Sequence, residues 1–233
     1  MPDLAHAITY YVAFLLSATI HEAAHAWAAK LGGDLTAYHG GQVSLDPRPH
    51  IRREPFGMVI LPLLSLAISP FPIGFASAPY DPKWALKYPN RAALMALAGP
   101  ASNLVLVLLT LVIIRVGSGA GVFIAPDTVR FGEVVAGAAG SMWEGVAFVT
   151  GVFFSMNLLL AALNLIPLPP LDGSAAIPLL LPAAAASRYQ MLLFSNPVLS
   201  IIGMIVVWRL FGTVFQPIFL LAVNLLYPGM SYG

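Results

Sequence analysis

The sequence predicts an all-α polytopic membrane protein: five to six transmembrane or re-entrant helices around one polar site, with a small membrane-associated β element. Three observations predict it. The 233 residues are 59% hydrophobic and only 9% charged, with a mean hydropathy of +0.84, whereas a soluble domain is about a quarter charged. The apolar residues fall in runs long enough to cross a bilayer, separated by short polar stretches rich in Gly and Pro. Ionisable residues nevertheless sit inside the first of those runs.

Composition narrows the function. A net charge of +1 offers no surface for nucleic acid or another polyanion. Cysteine is absent, which excludes disulfides and thiolate metal ligands. No internal repeat is present, and Ala183–Ala186 is the one low-complexity patch. No soluble domain of 50 or more residues fits, so residues 1–233 are read as a single membrane domain.

The first run, about Leu4–Ala29, is long enough to span. Met1-Pro2-Asp3 has no basic n-region and no small-residue cleavage site follows, so the run is expected to be retained. No Lys or Arg precedes Lys30, which puts the N-terminal end outside and the Lys30 end in the cytoplasm. Gly32-Gly33-Asp34 stops this helix. Thr36–His39 and Gln42–Leu45 flank Gly40-Gly41 as a short hairpin. Asp46–Arg53 is basic and reads as cytoplasmic, with His39 and His50 as solvated loop histidines. Phe56–Phe71 is apolar but short and broken by Pro62 and Pro70, with Pro72 just beyond. Lys83 and Lys87 follow it, so it is expected to enter and return on one side. Arg91–Val116 is a span interrupted by Gly99-Pro100, and Gly117–Gly140 an external Gly-rich loop. Ser141–Leu165 returns inward, and Gln190–Phe211 and Thr213–Tyr227 read as two further helices. Tyr10, Tyr11, Trp84, Tyr88, Trp143 and Trp208 read mostly as interfacial belts.

The chemistry lies in His21-Glu22-Ala23-Ala24-His25. Two His at i and i+4 share a helix face and can hold one zinc ion, and the Glu between them can serve as general base. A charged residue at the bilayer centre costs roughly 2.5–3.5 kcal/mol, so three ionisable groups in one turn require a compensating partner such as a metal. A catalytic zinc takes a third protein ligand. A third His after a Gly at the usual offset is missing, because Ala28 stands in the Gly position. Asp34 and Asp46 lie in the polar loop, and Glu133 and Glu144 on the external side. Glu54 and Asp172 remain. Asp172 is favoured because it follows a span on the inward side and is framed by Pro169-Pro170 and Gly173.

HExxH in a membrane helix, Gly99-Pro100-x-x-Asn103, and Asn164-x-x-Pro167-x-Pro169-x-Leu171-Asp172-Gly173 together resemble the site-2 protease family of intramembrane zinc metalloproteases. The resemblance covers roughly residues 4–175 and leaves residues 190–228 as accessory helices. It implies that His21, His25 and Asp172 bind one Zn2+ and that Glu22 is the base. Asn164 and Asn103 would serve the substrate. Gly74, Phe75 and Ala76, in the stretch 74–79, would belong to an edge strand that receives it. Asn157 reads as packing. The PDZ and CBS domains of many relatives are missing, as is a helix before HExxH, so the chain looks like a compact prokaryotic member.

The expected reaction is hydrolysis of a peptide bond in or near a transmembrane segment of a membrane-protein substrate, in the lipid bilayer. The active site would face the cytoplasm of a prokaryotic cell membrane. A divalent-metal transporter would need ionisable residues spread across the membrane, and these cluster near one depth. A non-catalytic scaffold would lack Glu22 or Asp172, and both are present.

Overall fold

The computed structural model describes residues 4–69 and 71–233. Met1-Pro2-Asp3 and Pro70, which entered the reading of the first run and of the short apolar segment, lie outside them. Ten α-helices are described, with one 3-10 turn (Ile177–Leu180) after the eighth: α1 (Leu4–Leu31), α2 (Thr36–His39), α3 (Pro47–Arg53), α4 (Phe56–Ser65, whose first turn Phe56–Ile60 is π-helical), α5 (Pro82–Lys87), α6 (Pro89–Gly119), α7 (Trp143–Asn164), α8 (Asp172–Ala176), α9 (Ala183–Ser195) and α10 (Pro197–Leu226). Four of them, α1, α6, α7 and α10, are long and apolar enough to cross a membrane. With the short α4 they make the all-α polytopic architecture. At 1.5 Å per residue α4 is about 15 Å long, half a hydrocarbon core, so it is too short to span by itself.

Helices α1, α6 and α7 form the centre. The buried residues of α6 follow a helical stripe, from Ala92 and Ala96 through Gly99 and Asn103 to Val107, Thr110 and Ile114. Small residues on that stripe and on the inner face of α1 (Ala13, Ala18, Ala26, Ala29) let the backbones approach closely. Contacts sort the molecule into two ends. At one, Trp84 Nε1 and Arg91 Nη1 donate to the carbonyl of Gly32, joining the end of α1 to α5 and to the start of α6. At the other, the Tyr10 hydroxyl donates to Phe131 O, and Arg115 to Leu226 O.

Several expectations change. Residues 36–45 form no hairpin. Asp34 accepts hydrogen bonds from the backbone and hydroxyl of Thr36, which starts a helical turn instead, and Gly41 at φ +74° lies in the turn after it. The β element lies elsewhere, where Phe123–Ile124 pairs antiparallel with Ala136–Gly137. Gly99-Pro100 does not interrupt α6, which runs unbroken through it. The C-terminal break falls at Asn196-Pro197, not at Gly212, so α9 is short and α10 is one helix of 30 residues. The residue before a proline leaves the α region, and proline then starts a helix well. Pro217 lies within α10. Residues 74–79 adopt no strand. His50 is not solvated but buried, with Nε2 against Ser44 O at 3.0 Å. Trp84 and Tyr10 are buried too, so they are not belt residues.

Candidate active site

The HExxH turn lies on the buried face of α1, where His21, Glu22 and His25 are each about 95% buried. Their tautomers can be read from their partners. His25 Nδ1 lies 2.7 Å from Met95 O. A carbonyl only accepts, so Nδ1 carries a proton, and in the neutral ring Nε2 keeps its lone pair. His21 is fixed by a longer chain. Phe153 O accepts from Asn157 Nδ2, which also donates to Ser17 Oγ. That orients Asn157 Oδ1 toward Asn103 Nδ2 at 2.8 Å, and Asn103 Oδ1 in turn lies 2.5 Å from His21 Nδ1. His21 Nδ1 is therefore the donor, and its Nε2 is also bare.

The two bare nitrogens lie 3.0 Å apart, and Asp172 Oδ2 lies 3.0 Å from one and 3.3 Å from the other. With both rings neutral, as metal ligation requires, three acceptors converge there. Ligands about 2.0–2.1 Å from a tetrahedral zinc stand about 3.3 Å apart, so the donor set and its spacing fit this ion. Asp172 reaches the histidines because it opens α8 directly after the Pro-rich turn. Gly173 is needed there, since a Cβ would meet Leu165 O at 2.4 Å. Glu22 belongs to the same cluster, and its Oε2 is buried with no partner among the described residues.

A cleft opens on these groups in two adjoining lobes, which share Glu22, Ala76, Ser77, Pro170 and Asp172. The larger, about 470 Å³, is also lined by His21, Glu54, Gly74, Phe75 and Asn164. The smaller, about 210 Å³, is also lined by His25, Ala78, Tyr80 and Gln190. Burial, and secondarily the nearby Asp172 carboxylate, pushes the Tyr80 phenol up from its ordinary pKa. Gly57 and Gly74 allow the 74–75 backbone to lie against α4, where Phe75 N donates to Gly57 O at 3.1 Å. Beyond that bond, Ser77 O accepts from Gln42 and Arg53. Among the described residues, the backbone groups of Ala76 and Ala78 pair with nothing.

The structure therefore brings His21, Glu22, His25 and Asp172 together, with Gly74, Phe75, Ala76 and Asn164 along the same cleft. Asn103 is different. It is fully buried behind the His21 ring and off the cleft. Glu54 lines the cleft but its Oε1 accepts from Ser77 Oγ at 2.5 Å. Asn157, read from sequence as packing, carries the chain that orients His21. Its place seven residues before Asn164, two helical turns along the same face, was the available signal.

Four membrane-type helices around a His-Glu-His cluster of this geometry define a membrane zinc metallopeptidase. The chain belongs to peptidase family M50, the site-2 protease family, whose model matches residues 9–208. It is 29% identical over 226 residues to the Bacillus subtilis (strain 168) protein named "Putative zinc metalloprotease YwhC", covering 89% of this chain and 92% of that one. It is 32% identical over 164 residues to "Putative zinc metalloprotease Rip2" of Mycobacterium tuberculosis H37Rv and 30% to that of Mycolicibacterium smegmatis. Those matches cover 70% of this chain and 54% of Rip2, about half its length. No solved structure matches.

Proposed function

We propose that the chain is an intramembrane endopeptidase that cuts a peptide bond in or near a transmembrane segment of a membrane-protein substrate. The observation that carries this reading is a single cleft within a bundle of spans. It joins a three-acceptor metal site, an unpartnered carboxylate and backbone groups left unpaired at Ala76 and Ala78. His21, His25 and Asp172 would hold the zinc. When bound, zinc supplies Lewis acidity for the scissile carbonyl and brings the pKa of a water to about 7. Glu22 takes a proton at Oε2 and returns it to the leaving amine. A substrate helix hides its carbonyls in i to i+4 bonds, so the cut segment must unwind. Its exposed backbone then needs partners, which Ala76 and Ala78 offer by β-addition. Asn164, at the mouth of α7, lies along the path of that peptide. Water enters from the end that carries Lys30, Arg48, Arg52 and Arg53, which we assign to the cytoplasm of a prokaryotic cell membrane.

The test uses the chain in phospholipid vesicles with single-span peptides. Glu22→Gln should abolish cleavage and leave one zinc bound. Asp172→Ala should lower zinc occupancy, whereas Glu54→Ala should keep it. Turnover near the parent rate in Glu22→Gln, or metal loss in Glu54→Ala alone, overturns the assignment.

A further inference from the structure

Helix α9 lies outside the stretch that the sequence motifs cover. Two of its residues are buried, Ala186 and Gln190, one turn apart on one face of a helix that packs against the 3-10 turn Ile177–Leu180, α5 and α6. Ala186 suits such a face. Gln190 does not: it is 96% buried, yet its Oε1 has no hydrogen-bond partner among the described residues, and its amide makes no bond elsewhere in them. Leaving such a group unpaired costs roughly 1–3 kcal/mol. Gln190 lines the smaller lobe of the cleft, together with Glu22, His25, Asp172 and the unpaired Ala76 and Ala78.

We infer that Gln190 is a substrate-binding residue whose carboxamide pairs with a peptide unit of the substrate, on the edge that the 76–78 segment leaves free. The chemistry matches. A carboxamide offers one acceptor and an N–H donor side by side, the complement of a peptide C=O and N–H. An extended peptide has hydrogen-bonding groups along both edges, and in a membrane-embedded cleft each unpaired one is costly. Ala76 and Ala78 satisfy one edge and Gln190 answers the other. The cost of the unpaired amide in the free protein is thereby recovered when substrate arrives. This inference rests on the reading that peptide binds in this cleft.

Two zinc-directed probes separate the two ideas. Acetohydroxamic acid carries the metal-binding group alone, and the tripeptide hydroxamate acetyl-Leu-Ala-Ala-NHOH adds peptide units. Both are titrated against the zinc-loaded protein in detergent. Gln190→Met keeps the length of the side chain and removes its amide. It should weaken the tripeptide hydroxamate about tenfold, the scale of one to two hydrogen bonds, and leave acetohydroxamic acid unchanged. The metal-free variant should unfold at the parent temperature or above it, because an unpaired buried amide has gone. Equal tripeptide affinity in parent and variant overturns the inference and leaves the catalytic reading standing. A lower unfolding temperature with lost zinc assigns Gln190 to packing and also overturns it. Failure of acetohydroxamic acid to bind the zinc-loaded parent instead sinks the metal site itself.

Discussion

At the scale of single residues, the site depends on where protons sit. Each imidazole presents a bare Nε2 only because its Nδ1 is held by an acceptor, Met95 O for His25 and Asn103 Oδ1 for His21. The second acceptor is correct only while Asn157 keeps Asn103 from flipping, and Asn157 is itself held by Phe153 O and Ser17. Asn157→Leu should therefore weaken zinc binding by about 10- to 100-fold, the usual cost of losing such a supporting partner, although the residue touches no ligand. Competition with a chelator reads this directly, and unchanged affinity would refute the chain of orientation. The reactive groups were legible in the sequence because HExxH and the Leu171-Asp172-Gly173 turn fix residue types at fixed spacing. Asn157 was not. An asparagine in an apolar helix has many packing partners, and only the meeting of α1, α6 and α7 decides which one it serves.

At the scale of elements, α6 must come within contact of the two histidines, and Gly99 lets it. A Cβ there would lie 2.3 Å from His25 Nε2 and 2.5 Å from His21 Nε2. Gly99→Ala should displace the ligand nitrogens, cut zinc affinity at least tenfold, and cost about 1–3 kcal/mol of stability through overpacking. Gly119→Ala, at the far end of the same helix with nothing within 4 Å, is the control and should change neither. Zinc retained at parent affinity in the Gly99 variant would show that the helix yields rather than the site. Sequence pattern suggested a kink at Gly99-Pro100, whereas the glycine serves close approach and the helix stays continuous. The four long helices were legible from apolar length alone. Their ends were less so: Asp34 turns a hairpin-like stretch into a helical turn, and Pro197 sets the break that sequence pattern puts at Gly212. In both cases a hydrogen bond or a ring closure outweighed glycine content.

At the scale of the whole molecule, basic residues separate by end. Lys30, Arg48, Arg52, Arg53, Lys83, Lys87, Arg91 and Arg188 lie at or beyond the ends of the spans nearest the metal-site loops. Arg115 and Arg130 lie toward the other end, with Asp127, Glu133 and Glu144, and Arg209 alone lies well inside a span, α10. The sorting follows the chain path. Trp84 of α5 and Arg91 of α6 tie both helices to the end of α1, while Tyr10 and Tyr227 tie the opposite ends of α1 and α10 to Phe131 and Val134. The proposed topology follows from this bias, since basic residues favour the cytoplasmic side during insertion. The natural chain has no cysteine, so a single introduced thiol reports its side without background. Arg52→Cys in exposed α3 should react with a membrane-impermeant maleimide only after the cell membrane is opened, and Gly119→Cys should react in intact cells. The reverse pattern would invert the topology and move water access to the other face of the bilayer. The zinc geometry would be untouched, because it depends on contacts among α1, α6, α7 and α8 rather than on which compartment they face.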